Sequence, residues 1–223
     1  MTNILLSKGI INTGNIYIYL KEYIKPSHRV LLVNLLFFNK SIKSREDYQN
    51  TYGKNGSYTR RLLDGFFPYG IRENQIDILN YYLDETKSAI EKIKKADVIY
   101  FHGGSPDECM IRINELKLNE AFLNCKDKIF VGSSAGAMIQ FEHFHITPDR
   151  DYRKYSCHEG LGLLSSHLVE PHYKKRRKTT KNLRRAQADF GLPILLIPDF
   201  GCVIIDEIRI VYLGGAKELK ENI

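Results

Sequence analysis

The sequence predicts an α/β domain built on a mostly parallel β-sheet that helices cover on both faces. Short apolar runs alternate with longer amphipathic segments along the chain, which is typical of repeated βαβ units. The last two apolar runs are joined by Asp206 and Glu207, which indicates a hairpin and therefore an antiparallel edge. A length of 223 residues with 43% hydrophobic residues suits one soluble unit, so we expect residues 1–223 to form a single domain.

Apolar spacing supports each predicted element. The helix at 84–95 is the clearest, because Ala89, Ile90 and Ile93 share one face while Lys and Glu occupy the other. Residues 37–69 are polar and irregular, and we leave them unassigned, with a helix plus a loop over a site as one arrangement. In chain order we predict strands at 3–6, 29–36, 96–101, 128–131, 194–197, 202–205 and 208–213, and helices at 15–23, 84–95, 106–123, 137–141 and 179–188.

The positive charge of the chain is concentrated in one segment. The formal net charge is +7, from 33 Lys and Arg against 26 Asp and Glu, and eight of these cationic residues lie between Lys174 and Arg185. Such a run predicts a local basic patch rather than a nucleic-acid-binding surface over the whole protein. No aromatic residues interleave the run, so we expect no nucleic-acid partner and keep a basic nucleic-acid-binding module as a minor alternative.

Neither the cysteines nor the N-terminus indicates an exported or membrane protein. The four cysteines are widely spaced and form no C-x-x-C pair, so we expect free thiols rather than a zinc or redox site. The first residues lack the basic and apolar regions of a secretory signal. No apolar run approaches the ~18 residues that span a bilayer. We therefore expect a cytoplasmic protein with no membrane partner.

Residues 132–136 have the pattern of a nucleophile elbow. The segment Gly132-Ser133-Ser134-Ala135-Gly136 follows the predicted strand 128–131 and precedes an apolar, helix-like run. This is G-x-S-x-G between a strand and a helix, a sharp turn that presents its central serine at the carboxyl end of a sheet. The next N–H lies near a helix N-terminus, where negative charge is favoured. The pattern predicts that Ser134 is a nucleophile.

A nucleophilic serine needs a histidine base, and the base needs an orienting group. The chain has seven histidines, and residue type alone does not select among them. His172 suits the role, because it follows an apolar segment where a strand would end beside the serine turn. His143 and His145 form an H-x-H pair without an evident third ligand, so we expect no metal and no other cofactor.

Four blocks of the sequence resemble the serine peptidases that comprise aspartyl dipeptidase (peptidase E) and cyanophycinase. Residues 98–105 are similar to a strand followed by glycines, and residues 131–137 to the turn G-x-S-A-G-A. Residues 160–164 and 170–173 are similar to G-L-G-L-L followed by N-P-H-F or D-Q-H-F. Residues 197–204 are similar to a terminal strand pair that begins with an acidic residue. The serine turn and the P-H-aromatic block together make the resemblance specific.

The resemblance implies a Ser-His-Asp catalytic triad. Ser134 would be the nucleophile and His172 its base. The family's third member falls between them, which makes Asp149 the predicted orienting residue, with Asp151 and Glu170 as rivals.

The resemblance also implies a fold, an oxyanion hole and a substrate. The fold would be a three-layer αβα sandwich, class I glutamine amidotransferase-like (flavodoxin-like), with an antiparallel C-terminal edge hairpin. The backbone N–H groups of Gly104 and Ala135 would form the oxyanion hole. The substrate would be a small peptide, cleaved by a dipeptidase or exopeptidase with some preference for acidic residues. Candidates for binding the acidic group are Lys178, Arg184 and Arg185.

Some positions depart from the family pattern. His102 stands where glycine is usual and Ser105 where asparagine is common, which indicates an altered substrate loop. The stretch after His172 is short and strongly basic, and a solvated helix face would explain its charge equally well. Another acyl hydrolase, an esterase that uses the same serine turn, stays as an alternative. The sequence also leaves a homodimer open.

Overall fold

A seven-stranded sheet forms the centre of the structure, which is a computed structural model that describes residues 1–8, 11–12 and 14–220. In chain order the strands are β1 (Thr2–Leu6), β2 (Val30–Asn34), β3 (Ile76–Asn80), β4 (Val98–Phe101), β5 (Ile129–Ser133), β6 (His143–Ile146), β7 (Ser156–Glu159), β8 (Leu168–Pro171), β9 (Ile194–Ile197), β10 (Cys202–Ile205), β11 (Ile210–Leu213) and β12 (Lys217–Leu219). The α-helices are α1 (Gly14–Leu20), α2 (Arg45–Tyr52), α3 (Ser57–Asp64), α4 (Thr86–Lys95), α5 (Pro106–Glu115), α6 (Asn119–Leu123), α7 (Ala135–Met138) and α8 (Arg177–Phe190). Short 3-10 helices occupy Phe67–Tyr69 and Glu73–Gln75.

The central sheet has the strand order β11-β10-β1-β5-β4-β2-β3. The five strands from β1 to β3 in this order pair in parallel, while β10 runs antiparallel to both β1 and β11. The predicted α/β fold with a mostly parallel sheet and an antiparallel C-terminal edge hairpin is therefore confirmed. Because parallel strands end on the same side, the loops after β1, β4 and β5 meet at one edge.

Both faces of the central sheet are covered by apolar side chains. Leu5 packs in a cluster with residues of α4, α5, α6 and α7, whereas its neighbours Ile4 and Leu6 pack in a cluster with residues of α1 and α3. Alternate side chains of a strand point to opposite faces, so these clusters form two apolar layers around the sheet. Each fully buried leucine or isoleucine side chain contributes about 1.5–3 kcal/mol to the free energy of folding, relative to an exposed one.

Two smaller sheets lie outside the central one. Strand β9 pairs in parallel with β8 and antiparallel with β12, and β6 pairs antiparallel with β7. The prediction of a strand at 194–197 is confirmed, but this strand belongs to the smaller sheet. Strand β3, at Ile76–Asn80, was not predicted from the sequence.

Several predicted boundaries change in the structure. Residues 37–69 contain α2, α3 and a 3-10 helix rather than one helix and a loop. The predicted helix 106–123 is interrupted near Lys117, whose φ of 54° is incompatible with a continuous right-handed helix. The predicted basic helix extends from Arg177 to Phe190. None of the helices in the described part of the chain is long and apolar enough to cross a membrane.

Candidate active site

Ser134 lies in a strained turn between β5 and α7. Its φ of 52° and ψ of −114° place a non-glycine residue in a region that costs about 1–3 kcal/mol. The backbone N–H of Ser134 donates to the carbonyl of Leu6 at 2.8 Å, which ties the turn to the end of β1. Gly136 is required for close packing, since a Cβ there would lie 2.0 Å from the carbonyl oxygen of Phe101. The turn therefore presents the serine hydroxyl at the carboxyl edge of the sheet.

A hydrogen-bonded relay extends from the serine to a carboxylate. Ser134 Oγ lies 3.0 Å from Nε2 of His172, and Nδ1 of His172 lies 2.9 Å from Oδ1 of Asp199. A carboxylate can only accept, so the proton of a neutral His172 resides on Nδ1 and leaves Nε2 free to accept from Ser134. His172 has a φ of 56°, and its backbone N–H donates to Ser7 Oγ at 2.7 Å. The arrangement matches a nucleophile, its base and an orienting group.

Asp199 is surrounded by cationic groups. Its Oδ2 lies 3.2 Å from Nζ of Lys174 and 3.4 Å from Nζ of Lys8. The hydrogen bond from His172, with additional contributions from the two lysines, lowers the pKa of Asp199 to about 2. The carboxylate is therefore ionised at neutral pH and holds the imidazole in one tautomer.

The structure places Asp199, and not the predicted Asp149, against His172. Asp149 Oδ1 instead accepts the backbone N–H groups of Asp151 at 2.7 Å and Tyr152 at 2.8 Å, closing a turn between β6 and β7. Asp199 reaches the histidine because β8 and β9 pair in parallel, a contact between distant segments. The sequence signal for it was an acidic residue shortly after the apolar run 194–197.

The two rival carboxylates also have other partners. Asp151 Oδ1 accepts a hydrogen bond from Nζ of Lys40 at 2.8 Å. Glu170 Oε2 lies 2.9 Å from Nε2 of His145 and accepts a hydrogen bond from Thr147 Oγ1 at 3.1 Å. Neither carboxylate contacts the imidazole of His172, so the relay passes through Asp199.

Gly104 and Ala135 lie beside the serine, where an oxyanion hole was predicted. Both line a cavity that Ser134 also lines, and neither backbone N–H donates to another described residue. Gly104 has a φ of 151°, and a Cβ there would lie 1.6 Å from the carbonyl oxygen of Leu36. Position 104 therefore requires glycine. The role of the Gly104 and Ala135 N–H groups in an oxyanion hole stays a prediction.

Two cavities meet at the relay. The first, here named the Glu170 cavity, has a volume of about 230 Å³ and is lined by Ser134, His172, Gly104, Ala135, Met138, His145, Thr147, Asp149, Tyr152, Glu170, Lys174 and Arg176, among others. The second, named the Arg61 cavity, has about 530 Å³ and includes Ser134, His172, Gly103, Lys8, Tyr58, Arg61 and Asp64. Two larger cavities, of about 700 and 610 Å³, contain neither the serine nor its histidine. An extended molecule bound across Ser134 can thus place one group in each of the two cavities.

The cationic residues that line the Glu170 cavity differ from those predicted. Lys178, Arg184 and Arg185 are exposed on α8, and none of them lines this cavity. The cationic side chains in its wall are Lys174 and Arg176, which precede the helix. Lys174 is paired with Asp199, whereas Arg176 forms no ion pair with any residue in the described ranges. The sequence could not distinguish these positions, because the whole run is basic.

Three of the other histidines contact aromatic rings or a carboxylate. His102 is fully buried and stacks against Tyr52 with ring centroids 5.4 Å apart. Its burial lowers its pKa to about 4, so it is neutral at physiological pH. His143 stacks on Phe190, while His145 contacts Glu170. In the part of the chain that the structure describes, no group of three or more His, Cys, Asp or Glu residues could hold a metal, and all four cysteines are free.

Comparisons with known proteins found a matching family model and solved structures with a similar fold. The sequence model of Peptidase family S51 matches residues 50–212. No curated protein matches the chain significantly. A solved structure assigned as a peptidase E protein from Listeria monocytogenes EGD-e superposes with a TM-score of 0.68 at 16% identity, covering 98% of each chain. A peptidase from an acI-B1 Actinobacterium gives a TM-score of 0.63 at 16% identity, covering 98% of this chain and 93% of its own. These two similarities show a shared fold.

Proposed function

The chain belongs to peptidase family S51 and is a serine-type peptidase, and from this premise we propose that it cleaves short peptides as a dipeptidase or exopeptidase. The predicted relation to peptidase E is confirmed at the level of the family. We assign Ser134, His172 and Asp199 as the catalytic residues. The observation that carries this assignment is the continuous relay of 3.0 Å and 2.9 Å contacts from the serine hydroxyl to the carboxylate.

The proposed reaction is acyl transfer through a covalent intermediate. Ser134 Oγ attacks the peptide carbonyl carbon while Nε2 of His172 takes the hydroxyl proton. Asp199 holds the imidazole and stabilises its positive charge. The N–H groups of Gly104 and Ala135 donate to the developing oxyanion. His172 then protonates the leaving amine, and a water molecule activated by His172 hydrolyses the acyl-enzyme.

The dimensions of the site favour short substrates. The Glu170 cavity has about 230 Å³, which lies below the ~300–1,000 Å³ typical of pockets for drug-sized ligands. Such a cavity suits a single amino-acid residue on one side of the scissile bond. A peptidase that accepts one residue there acts at a chain end or on a dipeptide.

The charge of the same cavity supports a preference for acidic residues. Arg176 lines the Glu170 cavity and has no ionic partner among the described residues. Lys174 also lines this cavity, but it is paired with Asp199. A substrate carboxylate in the cavity would gain a charge-assisted hydrogen bond from the guanidinium. We therefore propose Arg176 as the residue that favours an N-terminal Asp or Glu.

The assignment of the nucleophile can be tested by covalent labelling. We expect a fluorophosphonate to modify the protein once, and peptide mapping to place the adduct on Ser134. The labelled protein should lose its activity on dipeptides such as Asp-Leu. Labelling of Ser134 with rapid cleavage of p-nitrophenyl esters and no cleavage of any dipeptide would favour an esterase instead. Absence of labelling would contradict the proposed serine chemistry.

The acidic preference can be tested by charge reversal. Arg176→Glu should raise KM for Asp-Leu by about 10- to 100-fold, because it removes a charge-assisted contact and adds repulsion. KM for Ala-Leu should change little. Arg184→Glu is the matched control, since Arg184 is exposed on α8 outside the cavity. The proposal is contradicted if the enzyme cleaves Asp-Leu and Ala-Leu equally well and Arg176→Glu changes neither rate. The basic run would then be only a solvated surface.

A further inference from the structure

Glu170 places a buried carboxylate in the wall of the Glu170 cavity. Its side chain is only 9% exposed, and it precedes His172 by two residues at the end of β8. The proposed mechanism gives it no role, because Asp199 orients the histidine. A buried carboxylate is costly unless its oxygens receive hydrogen bonds or a cation. The partners of both carboxylate oxygens therefore decide whether Glu170 is satisfied in the cavity wall.

The two oxygens of Glu170 are not equally satisfied. Oε2 lies 2.9 Å from Nε2 of His145 and 3.1 Å from Oγ1 of Thr147, which donates to it. Oε1 accepts no hydrogen bond from any residue in the described ranges, although the residue lines the cavity. A carboxylate offers about four lone-pair sites, so Glu170 retains capacity for a donor that enters with the substrate.

The residues around Glu170 hold it in place. His145 is fully buried, and its ring stacks on Tyr155 with centroids 6.1 Å apart. Nε2 of His145 contacts the carboxylate, and its buried Nδ1 has no hydrogen-bond partner among the described residues. With Thr147 as a second donor, the carboxylate is anchored through Oε2 alone. A preorganised acceptor of this kind binds a cation without first losing side-chain freedom.

We propose that Glu170 binds the α-ammonium group of the substrate residue whose carbonyl carbon Ser134 attacks. This inference rests on the proposed function, since it places that residue in the Glu170 cavity. The α-nitrogen is separated from the carbonyl carbon only by the α-carbon, so a cavity lined by both Ser134 and Glu170 can hold both groups. Asp149 is the other carboxylate of this cavity, but it is exposed and its Oδ1 already accepts two backbone N–H groups.

The charges of the cavity define the substrate class further. Glu170 supplies a negative charge, while Arg176 supplies a positive charge without an ion pair among the described residues. A free N-terminal residue with an acidic side chain carries the complementary pair of charges. A peptide whose amino group is blocked leaves the buried carboxylate unpaired, and sites of that kind reject such analogues strongly. Glu170 would therefore enforce the free N-terminus that the proposed dipeptidase activity requires.

The inference is tested by comparing free and blocked substrates. For the unmodified enzyme, kcat/KM for Ala-Leu should exceed that for N-acetyl-Ala-Leu by at least about 100-fold. Glu170→Gln should reduce this ratio to near one, mainly through a loss on Ala-Leu. N-acetyl-Lys-Leu separates the two sources of an ammonium group and should be cleaved as poorly as N-acetyl-Ala-Leu. Cleavage of N-acetyl-Lys-Leu at the rate of a free dipeptide would overturn the inference in favour of a side-chain ammonium.

A pH profile gives a readout that a purely structural Glu170 would not move. The α-amino group titrates near pH 8, so kcat/KM for Ala-Leu should fall above that pH in the unmodified enzyme. Glu170→Gln should abolish this alkaline decrease, because its neutral amide does not favour the ammonium form. An equal loss on free and blocked substrates, with the decrease retained, would contradict the inference.

Two controls separate this inference from the proposed function. Glu159→Gln removes an exposed carboxylate on β7 and should retain the full preference for free amines. Fluorophosphonate labelling of Ser134 should persist in Glu170→Gln, since the reagent has no amino group. If this variant fails to fold, Glu170→Asp serves in its place: its shorter carboxylate should lower the preference for free amines, and an unchanged preference would overturn the role of Glu170. Labelling without a preference for free amines would overturn only the role of Glu170, whereas no labelling would contradict the serine peptidase mechanism.

Discussion

Ser134→Ala should lower kcat/KM for dipeptide hydrolysis by about 10⁴- to 10⁶-fold, the range seen when a nucleophile is removed from an intact catalytic unit. Among the described residues, the hydroxyl contacts His172 and makes no capping hydrogen bond to the backbone of the turn. Thermal denaturation of the variant should therefore match that of the unmodified enzyme. Steady-state kinetics on Asp-Leu, with the denaturation curve measured on the same preparation, checks both expectations.

Two further variants show whether the serine acts with its histidine. His172→Ala should be about as damaging as Ser134→Ala, and the double variant should be little worse, because members of one catalytic unit are not additive. Ser133→Ala is the neighbouring control, since Ser133 is buried at the end of β5. Retained turnover in Ser134→Ala together with its loss in Ser133→Ala would move the nucleophile to Ser133.

Asp199→Asn should lower kcat by about 10⁴-fold while preserving the fold. An asparagine amide can donate a hydrogen bond to Nδ1 and so favour the tautomer whose Nε2 carries the proton. Nε2 then cannot take the proton of Ser134. Asp149→Asn is the matched control in the Glu170 cavity and should retain most of the activity, because Asp149 serves a turn. Kinetics of both variants on one substrate separates the roles.

The pH dependence gives a second test of Asp199. Its pKa is lowered to about 2, so the carboxylate is ionised throughout the range in which the enzyme is assayed. Lys8→Met and Lys174→Met remove neighbouring positive charges that lower the pKa of Asp199, so both variants should raise this pKa and move the acidic limb of the pH–rate profile to higher pH without abolishing activity. If Asp149→Asn loses its activity while Asp199→Asn retains it, the orienting residue is Asp149 and not Asp199.

The parts of this protein that the sequence predicted depend on local chemistry. The strand–turn–helix around Ser134 is encoded within a few residues, since the glycines and small side chains are needed where the backbone packs closely. Apolar runs such as Val30–Asn34 form strands that are buried on both faces, because every side chain in them is apolar or able to pair internally. Such features require no knowledge of distant contacts.

Tertiary structure decided which carboxylate contacts His172. Asp149 and Asp199 are the same residue type, so the sequence alone does not distinguish them. The resemblance to the peptidase E family favoured Asp149, because that family's third triad member falls between the serine and the histidine. The parallel pairing of β8 with β9 places Pro171 opposite Ile197 and so brings Asp199 to His172. Strand pairing depends on contacts between segments far apart in the chain, which periodicity within each segment does not specify.

Tertiary structure also decided which cationic residues line the Glu170 cavity. Lys174, Arg176, Lys178 and Arg184 are alike in a basic run, but only the first two line the Glu170 cavity. Lys174 and Arg176 precede α8, which begins at Arg177, whereas Lys178 and Arg184 lie on this helix with exposed side chains outside the cavity. The sequence by itself thus determined the α/β fold, the strained serine turn and a candidate base. The tertiary structure decided which carboxylate and which cation reach them, because those contacts depend on how separate strands and a helix are arranged in space.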